Sequence, residues 1–258
     1  MHTSDLTVSL AALLFCAGVL AGGANAIAGG GTFFSFPVFL ATGLPPVVAN
    51  ASNAVAVWPG HALATFGYRR ELRELKGSLV AASIVAAVGG VLGAYLLARI
   101  GNASFVNLVP WLLFAATVLF SLGPTINRWC QAVDASSLAK RGLVGIFVFS
   151  VYGGFFGAGL GIMLMAGLML LGIQDPQRNN ALKNLLATVV TSVSVIVLAI
   201  TGLISWPHTT CALAGAVAGG LGGAKLARHI QVKWLRAAVI CIGLLLSARY
   251  FVRLYSAL

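Results

Sequence analysis

Residues 28–61 read AGGGTFFSFPVFLATGLPPVVANASNAVAVWPGH. The stretch holds no Lys, Arg, Asp or Glu. It opens on Gly29, Gly30 and Gly31, turns at Pro45-Pro46, and then carries Asn50, Asn53 and His61 on an apolar background. It lies inside a longer uncharged run from Leu6 to Tyr68, which far exceeds the roughly 20 apolar residues that one helical membrane span needs. Three glycines in a row interrupt a helix, so the run reads as a helix over 6–27, a break at 28–32, a short piece over 33–42, and a helix from Pro46 to about Tyr68, with Pro favoured in the first helical turn.

The whole chain has this character. It is 59% hydrophobic and 8% charged, with mean hydropathy +0.98. Soluble domains carry about 25% charged residues, so too few charges remain here to cover a water-facing surface. Further uncharged runs span Gly77–Ala98, Ile100–Asn127, Gly142–Gln174 and Asn184–Ala224. Alternating ten-residue segments of a transmembrane barrel are absent, which leaves helices as the spanning element. The reading is an all-α, polytopic transmembrane bundle of about eight spans in a cell inner membrane. The net charge of +11 comes from short basic clusters between apolar runs, the pattern of cytoplasmic loops rather than of a nucleic-acid surface.

The first stretch has a degenerate twin. At one constant offset, without gaps, Gly29 matches Gly159, Gly31 matches Gly161, Pro46 matches Pro176, Asn50 matches Asn180, and Gly89, Gly90 and Gly93 match Gly219, Gly220 and Gly223. Aligned Gly, Pro and Asn are costly coincidences, so two repeats are expected, residues 1–130 and 131–258, together forming one membrane domain. Each begins with a glycine-broken helix. If 6–42 and 142–174 each dip in and return, the halves are inverted and loops 69–76, 123–141, 175–183 and 225–236 share the cytoplasmic side, as the positive-inside rule favours. The segment Ala24-Asn25-Ala26 looks like a leader cleavage site, but no Lys or Arg precedes the apolar run, so residues 1–27 are kept as a structural helix.

Polar residues inside such a bundle face its interior or water. On the helix after Pro46, Asn50, Asn53, His61 and Thr65 share a face; after Pro176, Asn180, Lys183, Asn184, Thr188 and Thr191 do so. Lys183 lies about two turns into its helix with no acidic residue close to it on that helix, which suits an anionic ligand; the alternative is a snorkelling side chain. The glycine clusters Gly29–Thr32 and Gly157–Gly161 leave backbone N–H groups at the starts of the short helices, where anions are favoured. The expected anion-binding set is therefore Gly29, Gly30, Gly31, Thr32, Asn50, Asn53, Gly159, Gly161, Asn180, Lys183 and Asn184. His61 is the one candidate for proton coupling. All five acidic residues sit at ends or loops, which argues against a carboxylate cation site. No metal-ligand spacing, cofactor motif or nucleophile–base set is visible, and the four cysteines have no paired spacing, so an enzyme is not expected.

With GGGTFFSFPVFLATGLPPVVANASNAVAV in one half and GGFFGAGLGIMLMAGLMLLGI and NNALKN in the other, the chain resembles the TauE/SafE family of sulfite exporters, also called the toluene-sulfonate uptake permease (TSUP) group. The resemblance covers both halves. It implies an inner-membrane secondary transporter that exports a small sulfur-containing anion, sulfite or an organosulfonate, from a central site around which the halves rock. Matching positions differ between the halves, with Lys183 facing Asn53 and Ile162 facing Thr32, so any site is asymmetric. The alternatives are a channel or transporter for another small organic anion, and a non-transporting membrane assembly subunit.

Overall fold

The computed structural model describes residues 6–27, 30–74, 76–131, 139–226 and 232–255, and within them every regular element is helical. The order is α1 (Val8–Ile27), α2 (Thr32–Ala41), α3 (Pro46–Gly67), α4 (Arg69–Glu74), α5 (Lys76–Ile100), α6 (Asn102–Gln131), α7 (Ala139–Phe155), α8 (Leu160–Leu170), α9 (Pro176–Ile200), α10 (Trp206–Leu226) and α11 (Val232–Tyr255). Four of them contain windows long and apolar enough to cross a bilayer: Val8–Asn25, Val80–Ile100, Asn102–Gly123 and Pro176–Ile200. Val80, Ile84, Val88, Leu92 and Trp111 are exposed, as expected of side chains that face lipid. The polar segment RRELRELK, expected as a loop, is instead mostly helical: it forms α4, and Lys76 begins α5. Asp175 caps α9, its carboxylate accepting from the N–H of Arg178 at 2.8 Å.

Both broken helices fold back on themselves. Gly31 packs against the carbonyl of Ala21, several turns earlier on α1, which a continuous helix forbids. In the second half, Gly153 faces Leu160, Gly167 faces Ile146 and Gly142 faces Leu171, so α7 and α8 form an antiparallel hairpin. Glycines in the left-handed region make these reversals: Gly30 has φ +84° and Gly159 φ +75°, values that other residues rarely adopt.

The long helices then pack across the halves. α1 lies on α10 and α7 lies on α5. On the first seam Gly18 and Gly22 face the carbonyls of Ala212 and Ala216, while Gly215 and Gly219 face those of Phe15 and Val19. On the second, Gly89 packs on Ser150, Gly93 on the carbonyl of Val151 and Gly154 on that of Gly90. Contact partners advance together along both helices, so each pair is parallel. The spacing of small residues every fourth position is the motif that lets membrane helices approach backbone to backbone. α3 and α9 cross at the centre in the opposite sense, with Trp58 beside Ser192 and Tyr68 beside Asn180.

Two ends of the bundle follow. The start of α3 meets the start of α6, where Asn102 Oδ1 accepts from the Val47 N–H at 3.0 Å, and the loop before α10, where Ser205 N–H donates to Ser52 Oγ at 2.9 Å. The end of α3, α4, the start of α7 and the start of α9 lie at the other end. Buried Phe33, Phe36, Phe39, Phe105 and Phe156 fill the space between the two hairpins.

A methyl group added at Gly22 or Gly93 would land on a facing carbonyl oxygen. Gly22→Ala and Gly93→Ala are each expected to cost roughly 1–3 kcal/mol, read as thermal unfolding in detergent. Gly67→Ala is the control, because nothing lies within 4 Å of a Cβ there. Equal melting temperatures for all three would remove the seams as the constraint on packing.

Candidate functional site

The crossing of α3 and α9 holds most of the polar residues within the bundle. Trp58 Nε1 donates to Ser192 Oγ at 2.8 Å, Thr65 and Thr188 share a hydroxyl hydrogen bond of 2.8 Å, and Asn180 Nδ2 donates to the Tyr68 hydroxyl at 2.6 Å. Thr65, Thr188 and Thr191 also bond carbonyls one turn back on their own helices, at His61, Asn184 and Ala187. These hydroxyls are therefore satisfied by the fold.

Lys183 is different. It is half-buried on α9, and its ammonium makes no hydrogen bond or ion pair among the described residues. Its aliphatic stem lies over Gly161, with Cδ 3.5 Å from the position a glycine Cβ would take. His61 of α3 is within electrostatic reach of it. Asn184, the next residue on α9, is 5% exposed, and its side chain makes no hydrogen bond among the described residues. Gly161 itself occupies the first turn of α8. The N–H groups of Leu160 and Ile162 bond Gly157 and Gly159, but no acceptor within the described residues takes that of Gly161. A cation, an unpartnered amide and the positive end of a short helix thus meet at the second break.

The first break is built differently. The Gly31 N–H, expected to face a ligand, instead donates to Asn25 Oδ1 at 2.8 Å. Ser35 Oγ bonds Asn53 Oδ1 at 2.5 Å and also reaches the Gly31 carbonyl. Thr32 is buried as the first residue of α2, and Gly30 packs under Phe120 and Val239. Gly29 lies outside the described residues. Asn50 crosses to the second hairpin, where Nδ2 donates to the Phe155 carbonyl at 2.8 Å; its Oδ1 is buried without a partner. Of the residues expected at the site, Lys183 lies over Gly161 and within electrostatic reach of His61, with Asn184 next to it on α9, while Asn53 and Asn180 each commit one amide atom to the fold.

Sequence reading missed Asn25, Ser35, Tyr68 and Arg236. Ser35 and Tyr68 are single hydroxyls in apolar or aromatic company, with no signal of their partners. Arg236, read as part of a basic loop, lies on α11 and turns inward: its guanidinium bonds the Phe120 carbonyl and stacks 5.5 Å from the Phe120 ring centre.

A profile of the family described as "Sulfite exporter TauE/SafE" matches residues 14–250. The chain belongs to the TauE/SafE family. A Haemophilus influenzae protein named "Probable membrane transporter protein" is 29% identical over 246 residues, covering 95% of this chain and 96% of that one. "Probable membrane transporter protein ORF9" of a Sinorhizobium species is 33% identical over 168 residues, 65% of this chain and 64% of its own. The Escherichia coli K12 "Probable membrane transporter protein YfcA" is 24% identical over 241 residues, 93% and 89% of the two chains. No solved structure matches. TauE/SafE membership makes the chain a membrane transport protein, and the described helices supply the membrane-crossing bundle such a protein needs.

Not every asparagine of α9 faces the open crossing. Asn179 is fully buried and its Nδ2 bonds the carbonyls of Ile173 (2.9 Å) and Met165 (3.2 Å). Asn179→Ala removes the side-chain bonds to both carbonyls, leaving that of Ile173 without this partner, and is expected to cost about 1–3 kcal/mol. Asn184→Ala, which removes no hydrogen bond, is expected to leave the melting temperature of the ligand-free protein near that of the wild type. The reverse order would make Asn184 the structural residue.

Proposed function

We propose that this chain is a secondary transporter that exports a small sulfur-containing anion, sulfite or an organosulfonate. The observation that carries the reading is Lys183: a cation inside the bundle, without a carboxylate partner among the described residues, lying over the uncapped start of α8. Buried charges in membrane proteins are expensive and mark substrate pathways. An anion placed there would meet the ammonium, the Gly161 N–H and the Asn184 amide together. The family description names sulfite, and sulfite presents three oxygens to such donors. Export of an anion needs no coupling ion, because a negative interior contributes about 2.3 kcal/mol per charge per 100 mV; His61 is the group through which protons would couple.

The same reading takes residues 1–130 and 131–258 as inverted repeats, each a returning hairpin followed by three spans. Its support is the packing. Shifting one half onto the other turns the α1–α10 seam into the α7–α5 seam, α10–α3 into α5–α9, and α2–α3 into α8–α9. Parallel seams between halves, with each hairpin returning to its starting side, require the halves to run in opposite senses. Arg69, Arg70, Arg73, Lys140, Arg141 and Arg178 then lie at one end and Arg99 and Arg249 at the other, an excess that puts the first end in the cytoplasm.

The substrate test is thermal stability of the purified protein with sulfite, sulfate, thiosulfate, sulfoacetate, taurine, lactate and chloride. Selective binding raises the melting temperature by mass action. Lys183→Met keeps the apolar stem over Gly161 and removes the charge; it is expected to weaken sulfite binding at least about tenfold, equivalent to ~1.4 kcal/mol. Arg99→Ala, an exposed residue stacked on Tyr95, is expected to change nothing. Equal effects of the two would take Lys183 out of the site.

The topology test uses single cysteines at Arg70, Gln177 and Thr201 in a background lacking Cys16, Cys130, Cys211 and Cys241. Impermeant maleimide should reach Arg70 and Gln177 from one face and Thr201 from the other. Labelling of Arg70 and Gln177 from opposite faces would exclude inverted halves.

A further inference from the structure

Asn25 lies near the end of α1, beside the first glycine break, and no role follows for it from the sequence. Its amide orientation is fixed: the Gly31 N–H can bond only the oxygen, and does so at 2.8 Å. Nδ2 lies against Gly31, 2.8 Å from the position a Cβ would take there, on the side that faces α3. It faces α3 at Gly60, where a Cβ would lie 3.7 Å from Asn25 Cβ and 3.9 Å from Nδ2, with nothing else within 4 Å. Nδ2 makes no hydrogen bond among the described residues, and Asn25 is only half-buried. The residue after Gly60 is His61, the group within electrostatic reach of Lys183. A donor inside a membrane bundle is costly without an acceptor, and here the backbone of α3 offers no side chain to cover it.

We infer that Asn25 is a specificity-determining residue of the anion site, donating from Nδ2 to an oxygen of the transported anion at the His61 turn of α3. This rests on the anion-transport reading above. The Gly31 N–H acts as the clamp: it holds Oδ1, so the amide cannot rotate its oxygen toward an anion. A neutral donor adds a contact without a second charge. Together with Lys183, it addresses two acceptor atoms of one ligand, which an oxyanion has and a halide lacks. Asn25 therefore favours sulfite and sulfonates over chloride, and the glycine at position 60 keeps the path to Nδ2 open.

The test measures sulfite and chloride binding and ligand-free melting temperature for the detergent-purified wild type, Asn25→Asp, Gly60→Ala and Lys183→Met. Asn25→Asp keeps an oxygen for the Gly31 N–H and replaces the donor by an acceptor of negative charge. It is expected to lose sulfite affinity at least tenfold and to lower the sulfite-to-chloride ratio, with the ligand-free melting temperature held. Gly60→Ala sets a methyl in contact with the amide, and a several-fold loss of sulfite affinity is expected with no loss of stability. If Asn25→Asp does not fold, Gly60→Ala decides alone. Sulfite binding like the wild type's in Asn25→Asp and Gly60→Ala, with binding lost in Lys183→Met, overturns the role of Asn25 and leaves the anion site standing; Asn25 is then only the cap of α2. A wild type that binds none of the oxyanions overturns both.

Discussion

The bundle depends on one constraint: a backbone N–H or C=O cannot face lipid unpaired. The chain nevertheless breaks two helices inside the bundle, at Gly30-Gly31 and at 156–159. Each break can exist only behind other helices. The glycine seams provide that shelter by bringing α1 onto α10 and α5 onto α7 at backbone distance. Aromatic rings close the space between the two hairpins, with Phe36 against Phe156 at 5.3 Å and Phe105 against Phe155 at 5.8 Å. Close seams and buried rings are thus consequences of having broken helices at all.

The same constraint sorts the polar side chains. Asn25, Asn50 and Asn179 each bond backbone groups at or beside a hairpin, at Gly31, Phe155, and Met165 with Ile173. Asn180 and Asn53 bond hydroxyls. Interhelical hydrogen bonds of this kind average only about 0.6 kcal/mol, but leaving a break uncapped costs more, so their value is conformational: they fix where the chain reverses. Against this background Lys183 and Asn184 stand out, because no described residue bonds their side chains. The second break has Ile162 and Met163 where the first has Thr32 and Phe33, and Lys183 where the first half has Asn53. The two hairpins are alike in packing and unlike in chemistry.

Much of this was legible in the sequence for stated physical reasons. Uncharged runs forced helices, glycine clusters forced the breaks, and Pro46 and Pro176 marked helix starts that the structure places at those residues. Lys183 stood out as a lone cation and makes no ion pair among the described residues. Partnership was not legible. Asn53 and Asn184 look equivalent as letters, yet Ser35 takes one and nothing takes the other, because the difference lies in which helix crosses there. Asn25 resembled a cleavage motif because Ala-x-Ala is also what close helix packing demands. The short helix α4 was read as a loop because its charges suggested water, whereas a helix lying at the bundle's end satisfies both its backbone and its charges.

The packing also limits how such a molecule can open. The sequence suggested two halves rocking about a central site. The long seams, however, join α1 to α10 and α5 to α7, each pair taking one helix from either half. Parting residues 1–130 from 131–258 would break both seams at once. In lipid no water-driven burial compensates for that loss, since helix association there rests on close packing. The seams therefore define the rigid units: α1 with α10, and α5 with α7. Between them lie the aromatic rings of the hairpins, the Asn50 bond to the Phe155 carbonyl, and the crossing of α3 and α9, held by three side-chain hydrogen bonds at Trp58, Thr65 and Asn180. Each of these can be exchanged for a bond to water or substrate at small cost, whereas a backbone-to-backbone glycine contact cannot. Relative movement of the two seams is therefore least costly where α3 slides past α9, the crossing that side chains rather than backbones hold.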